Sequence, residues 1–244
     1  MGKLRVGLFI TCLADQFMPS VGECLVKVLR RLDVDVTFNP AQTCCGQPAF
    51  NTGYRDEARR VATHVLDLYD NADYVVSPSG SCTSMVRNFY SELFADDSVR
   101  SQKCLELKKR FFEFSEFLVD VLKVDDVGAS FRHRVTYHDS CHLLRELGVE
   151  EAPRKLLRKV RGLDLVEMQD NKLCCGFGGT FSVKFPEVSV PMGEDKIKAA
   201  SETRAEYLVA ADGGCLMHIS GLIHRQGAAL KTLHLAEVLA EDEN

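Results

Sequence analysis

Gln42-Thr43-Cys44-Cys45-Gly46-Gln47-Pro48-Ala49-Phe50-Asn51 contains an adjacent pair of cysteines followed by glycine, and Cys174-Cys175-Gly176 repeats it 130 residues later. Single cysteines flank both pairs in the same order. Cys12, Cys44, Cys45 and Cys82 return as Cys141, Cys174, Cys175 and Cys215, at offsets of 129, 130, 130 and 133 residues. The neighbouring residues repeat too: Arg5-Val6 leads to Thr11-Cys12 as Arg134-Val135 leads to Ser140-Cys141. Tyr74-Val75-Val76 precedes Ser81-Cys82 as Tyr207-Leu208-Val209 precedes Gly214-Cys215. A period this long marks a duplicated domain rather than a solenoid of short repeats. The division expected is 1–125 and 126–244.

Secondary-structure signals place these cysteines. In the first half, 4–10 reads as a strand and 19–32 as a helix with Val21, Leu25, Val28, Leu29 and Leu32 on one face. A strand at 34–38, a helix at 54–69, a strand at 74–77 and one long amphipathic helix over 101–122 complete it. The second half repeats the alternation: strand 134–138, helix 151–160, strand 163–168, helix 191–204, strand 207–210, then helices. Alternating strands and helices predict an α/β fold, two small Rossmann-like domains, each with a parallel sheet. Every cysteine of the two sets follows a predicted strand. Beyond the carboxyl ends of parallel strands the chain converges on one crevice, so each half should gather four thiols.

Composition narrows the chemistry. The 244 residues are 45% apolar and 27% charged, which fits globular domains and excludes disorder. A net charge of −5 with no basic run argues against nucleic acid. The longest charge-free stretch, 36–54, carries two prolines and several amides, so no transmembrane segment is expected. The start of the chain lacks the long apolar core of a signal peptide, so a cytoplasmic location is expected. Ten cysteines in that compartment point to metal or redox chemistry rather than stable disulfides.

Thiolates select zinc, copper(I) and iron–sulfur clusters. Ribbon and finger zinc sites use Cys-x-x-Cys knuckles, which this chain does not have. Adjacent side chains diverge, so a doublet meets two irons of a cluster more easily than one ion. Iron–sulfur binding is the leading reading; a four-thiolate zinc site, a redox disulfide or no ligand are the alternatives. Cys24 and Cys104 sit on apolar helix faces and are expected to be small core residues. His138 and His142 flank Cys141 and are candidates to stand behind a cluster, hydrogen-bonding a sulfur or carrying a proton. Asp139 or Ser140 is expected to cap the next helix, and 151–161 to be a solvated helix face.

These motifs resemble the cysteine-rich CCG-domain family, in which the domain is usually present twice. Its members include the B subunit of heterodisulfide reductase and the iron–sulfur subunits of glycolate oxidase and anaerobic glycerol-3-phosphate dehydrogenase. Thr11-Cys12-Leu13, residues 42–51, Pro78-Ser79-Gly80-Ser81-Cys82, Tyr137-His138-Asp139-Ser140-Cys141-His142 and residues 174–181 carry the resemblance. It is closest to a short two-domain branch that serves lactate utilisation. That resemblance implies electron transfer in a multi-protein system oxidising L-lactate to pyruvate, through one or two iron–sulfur clusters of the 4Fe-4S kind, with zinc as the alternative in one site. It also implies two partners, a ferredoxin-like iron–sulfur protein and a third, small protein. The reductase branch has a further cysteine three residues beyond the last of each set, where this chain has Met85 and His218. Thiol–disulfide reductase activity is therefore the weaker reading, a zinc-stabilised scaffold is another, and His218 becomes a candidate nitrogen ligand.

Overall fold

The computed structural model describes residues 4–70 and 72–242. It contains two four-stranded sheets in which every pairing is parallel. In the first, β1 (Arg5–Leu8), β2 (Asp35–Phe38), β3 (Tyr74–Ser77) and β4 (Phe111–Glu113) lie in the order β2-β1-β3-β4. In the second, β5 (Arg134–Tyr137), β6 (Asp164–Leu165), β7 (Tyr207–Ala210) and β8 (Lys231–His234) lie in the order β6-β5-β7-β8. The architecture is thus a tandem pair of Rossmann-like α/β units. Among the described residues, no helix is long and apolar enough to cross a membrane.

The helix Pro19–Arg31 starts on proline, whose fixed φ and missing N–H suit a first turn. It buries Val21, Leu25, Val28 and Leu29 against β1 and β2, and full burial of such side chains stabilises by about 1.5–3 kcal/mol each. Its counterpart Glu151–Lys159 buries Leu156 and Leu157. These two faces, β1, β3, β5 and β7 contribute to one apolar cluster that runs through both halves. Each half also lends its last helical segment to the other. Leu235–Ala240 packs on Pro19–Arg31, while residues 114–121 pack on Glu151–Lys159.

Two expectations are corrected here. Residues 101–122 are not one helix: Ser98–Lys108 is helical, Phe111–Glu113 pairs with β3, and a helical segment resumes at Phe114. The stripe Cys104, Leu107, Phe111, Phe114 and Leu118 is buried as expected, but through three elements rather than one. The end of the second half likewise holds the strand β8 between its helices. Helices at Cys12–Phe17, Gln47–Asn51, residues 80–93 and Thr180–Lys184 are additions to the expected elements, and the remaining differences are at the ends. The strand expected at 163–168 shrinks to Asp164–Leu165, and the helix expected at 191–204 spans Pro186–Glu202 with Pro191 inside it.

In both sheets the chain leaves the first strand to one side and returns on the other. The switch point therefore lies between β1 and β3, and again between β5 and β7, where the carboxyl ends open a crevice.

Candidate metal centre

The four single cysteines occupy the first turns of the segments that leave these switch points. Cys12 opens the helix Cys12–Phe17, whose N-cap Thr11 accepts from the Ala14 amide at 3.4 Å. Cys82 follows the N-cap Ser79, whose Oγ accepts from the Cys82 amide at 3.2 Å. Cys141 opens the turn at residues 141–146, and Cys215 follows the N-cap Asp212. Helix N-termini favour thiolate over thiol, because free amides and the dipole stabilise negative charge. The doublets lie in the loops that follow β2 and β6. Gly46 and Gly176 turn the chain with φ of +86° and +89°, and each glycine amide donates to the first cysteine sulfur of its doublet at 3.4 Å.

The result is two strings of sulfur. In the first half Cys44 is hydrogen-bonded to Cys12 and Cys45, and Cys45 Sγ lies 3.3 Å from Cys82 Sγ. In the second half Cys174 is hydrogen-bonded to Cys141 and Cys175, and Cys175 to Cys215. These bonds bring Cys44 down to about 3 and Cys174 to about 2, and their partners are correspondingly pushed up. Negative charge in each string is thus favoured at the first cysteine of the doublet. Cys215 is lowered to about 6, first by the bond to Cys175 and then, against burial, by the imidazole of His138. All eight sulfurs line one cavity of about 720 Å³ between the halves. Cys24 is half-buried at the edge of the shared core and Cys104 is buried, both away from this cavity.

The surroundings of the two strings differ. His138 is fully buried, neither ring nitrogen has a protein hydrogen-bond partner, and it forms with Cys175 and Cys215 a group whose donor atoms lie within 4.8 Å of one another. His142 is bound by Glu146 at 2.8 Å on the cavity wall. His218 also lines the cavity, but it faces Ser189 Oγ at 3.4 Å and the Phe177 ring, and it is not in the 4.8 Å group. Met85 is packed in the first-half core.

Asp139 does not cap a helix. Its carboxylate takes a bidentate pair of bonds from Arg154 at 2.8 and 2.7 Å, and Arg154 reaches Glu167 with its other edge. Arg154 is buried, so the face at 151–161 is only partly solvated. Ser140 Oγ is buried without a partner. One residue that the sequence reading missed is Lys196, which is 3% exposed and donates to the carbonyls of Asp170 and Asn171 at 2.6 and 3.1 Å, just before the second doublet. The signal was present: Ser189, Gly193, Lys196, Ile197 and Ala200 share the buried face of their helix, and a lysine has no business there without partners.

An array of soft, closely spaced sulfurs with backbone N–H groups aimed at them is the chemistry of a metal-thiolate site. The cysteine-rich (CCG) domain matches this chain twice, over residues 6–87 and 135–220. Among curated proteins, lactate utilization protein A of Exiguobacterium sp. is 49% identical over 239 residues, covering 97% of each chain. The protein of that name from Geobacillus sp. is 48% identical over 236 residues, covering 97% of this chain and 99% of the relative. Among solved structures, a hypothetical protein from Helicobacter pylori superposes on all of this chain with a TM-score of 0.70 at 9% identity, and the chain spans 50% of that protein. That likeness concerns the fold alone. Two matched domains, together longer than half the chain, and full-length relatives near half identity place it: the chain belongs to the cysteine-rich CCG-domain family.

Proposed function

We propose that this chain is an electron-carrying component of a multi-protein system that oxidises L-lactate to pyruvate, with iron–sulfur clusters at its thiol quartets. The observation that carries the reading is the meeting of eight thiols from six separate loops in one cavity. The residues fit the group. Four thiols per half satisfy an ordinary four-iron or two-iron cluster, and the glycine N–H groups beside each doublet supply the hydrogen bonds to sulfur that tune such centres. Cys12, Cys44, Cys45 and Cys82 would hold one cluster, and Cys141, Cys174, Cys175 and Cys215 the other. A bound cluster supplies one-electron transfer. The protein's own part is to fix the sulfurs and exclude bulk water from the buried ones, Cys45, Cys82, Cys175 and Cys215.

Lactate enters through the names of the full-length relatives. Within such a system the chain would work beside a ferredoxin-like iron–sulfur protein and a third, small protein, with the hydroxy acid bound elsewhere. Anaerobic reconstitution with iron and sulfide tests the reading. Broad sulfur-to-iron absorption in the visible and acid-labile sulfide bound to the chain are expected, and Cys44→Ser with Cys174→Ser should abolish both. Zinc filling the thiols, with no chromophore, would replace this reading by a scaffold role.

A further inference from the structure

The duplication supplies an internal control, because each residue near one quartet has a counterpart near the other. Arg134–Cys141 repeats Arg5–Cys12, so His138 stands where the first half has Phe9. Both side chains are fully buried. Ala58 O lies over Gly46 as Ser189 O lies over Gly176, which aligns the two helices that cover the doublets. Seven residues further on, Lys196 of the second half stands where the first has Val65, both buried. His218 stands where the first half has Met85. In the first half phenylalanine, valine and methionine share an apolar cluster with Cys45 and Cys82; the second has an imidazole with two unpartnered nitrogens and a buried ammonium.

We propose that His138 and Lys196 make a cluster on the second quartet easier to reduce than one on the first. The inference rests on the iron–sulfur reading above and goes beyond it by making the two sites unequal. Reduction adds an electron to a site in a low-dielectric interior, where a nearby cation or N–H donor stabilises the added charge far more than in water. His138 sits within 4.8 Å of Cys175 and Cys215, and either role of its ring, donor to sulfur or nitrogen ligand, raises a potential. Two backbone carbonyls anchor the Lys196 ammonium just before the second doublet; burial lowers its pKa, while Cys175, the Asp139 carboxylate and Cys174 act to favour its charge.

The buried carboxylate nearby, Asp139, is paired. Asp139 and Glu167 share Arg154. Asp212 stands where the first half has Ser79 and is a negative group that opposes this order, though part of its charge is taken up by Ser79 Oγ and Ser81 N of the first half as well as by Gly214 N of the second. Against Asp212 stand His138, within 4.8 Å of two sulfurs, and Lys196; His218, the counterpart of Met85, lies outside that group.

Redox potentiometry of the reconstituted full chain, followed by electron paramagnetic resonance, tests this. Two midpoints are expected, and Cys175→Ser should remove the higher one. His138→Phe and Lys196→Met, each of which copies or approximates the first half, should lower that midpoint and leave the other unmoved. Phe9→His should raise the lower midpoint, a gain that a folding defect does not mimic. Coincident midpoints, the reverse order, uptake at a single quartet, or variants that load fully without a shift would each overturn the proposal while leaving an iron–sulfur protein. Failure of every form to develop the chromophore would remove the function proposed above, and this inference with it.

Discussion

At the scale of single residues, Gly46 and Gly176 look interchangeable in the sequence and are not. Both turn a doublet with strongly positive φ, which any other L-residue adopts only at a cost of about 1–2 kcal/mol. At Gly46 an added Cβ would meet Ala58 O at 3.5 Å, ordinary contact. At Gly176 it would stand 2.4 Å from Ser189 O and 3.0 Å from Met192 Cβ. Gly46→Ala should therefore cost only the conformational strain. Gly176→Ala should cost a further 1–3 kcal/mol or so of forced backbone shift. Urea unfolding of the two metal-free variants compares them directly, and equal losses would show that φ alone matters at both turns. The doublets, their glycines and the four single cysteines were legible because the chain repeats them at a fixed offset. Lys196 and the Asp139–Arg154 pair were not, because a buried charge announces itself only when the partner that satisfies it is known.

Among elements, the segment 98–121 shows why a helical period can mislead. Cys104, Leu107, Phe111, Phe114 and Leu118 are spaced like a helix face, and no glycine or proline interrupts them. The edge of β3 overrides that pattern by pairing with Phe111–Glu113. A clue lay in the repeat: Phe114-Ser115-Glu116-Phe117-Leu118 matches Leu235-Ala236-Glu237-Val238-Leu239, each preceded by a short strand. Glu113 closes this strand and caps the next turn, accepting from the amides of Ser115 and Glu116 at 2.8 and 3.2 Å and from Ser115 Oγ. Its other oxygen is buried without a partner.

Burial, reinforced by Glu116 and only partly offset by these bonds, pushes Glu113 up to about 8. The unfolded chain releases this proton at an ordinary carboxyl pKa while the folded chain retains it. Between those values the unfolded state binds fewer protons, so the Glu113 contribution, fully present at acid pH, is lost as pH rises towards 8. The slope is about 1.4 kcal/mol per pH unit at its steepest. Glu113→Gln keeps the acceptor and the shape without the proton. Its stability should fall less than that of the parent between about pH 5 and 8 in urea titrations. Parallel pH profiles for the two proteins would mean that Glu113 ionises normally in the fold.

For the whole molecule, the sequence makes the duplication plain, and the thiols expected to gather in each half line one shared cavity. What it does not reveal is the exchange of terminal helices, since which amphipathic face meets which depends on the assembled pair. The exchange and the common apolar cluster make the two halves one cooperative unit. Gly80 tests this from the seam. Its amide donates to Ala211 O at 3.4 Å, and a Cβ there would lie 2.6 Å from Leu143 Cβ and 3.0 Å from its Cα, so no side-chain rotation relieves the clash. Gly80→Ala should wedge the halves and cost about 1–3 kcal/mol. Gly22, inside the helix Pro19–Arg31, is the contrast: a methyl there meets only Ile10 side-chain atoms at 3.5 Å or more. Gly22→Ala should stabilise by about 0.5–1 kcal/mol through helix propensity. Because the core is shared, both substitutions should move a single transition, seen at the same denaturant concentration by circular dichroism and tyrosine fluorescence. Two separate transitions, with Gly22→Ala shifting only one, would mean that each half folds on its own and that the cavity between them is held by docking alone.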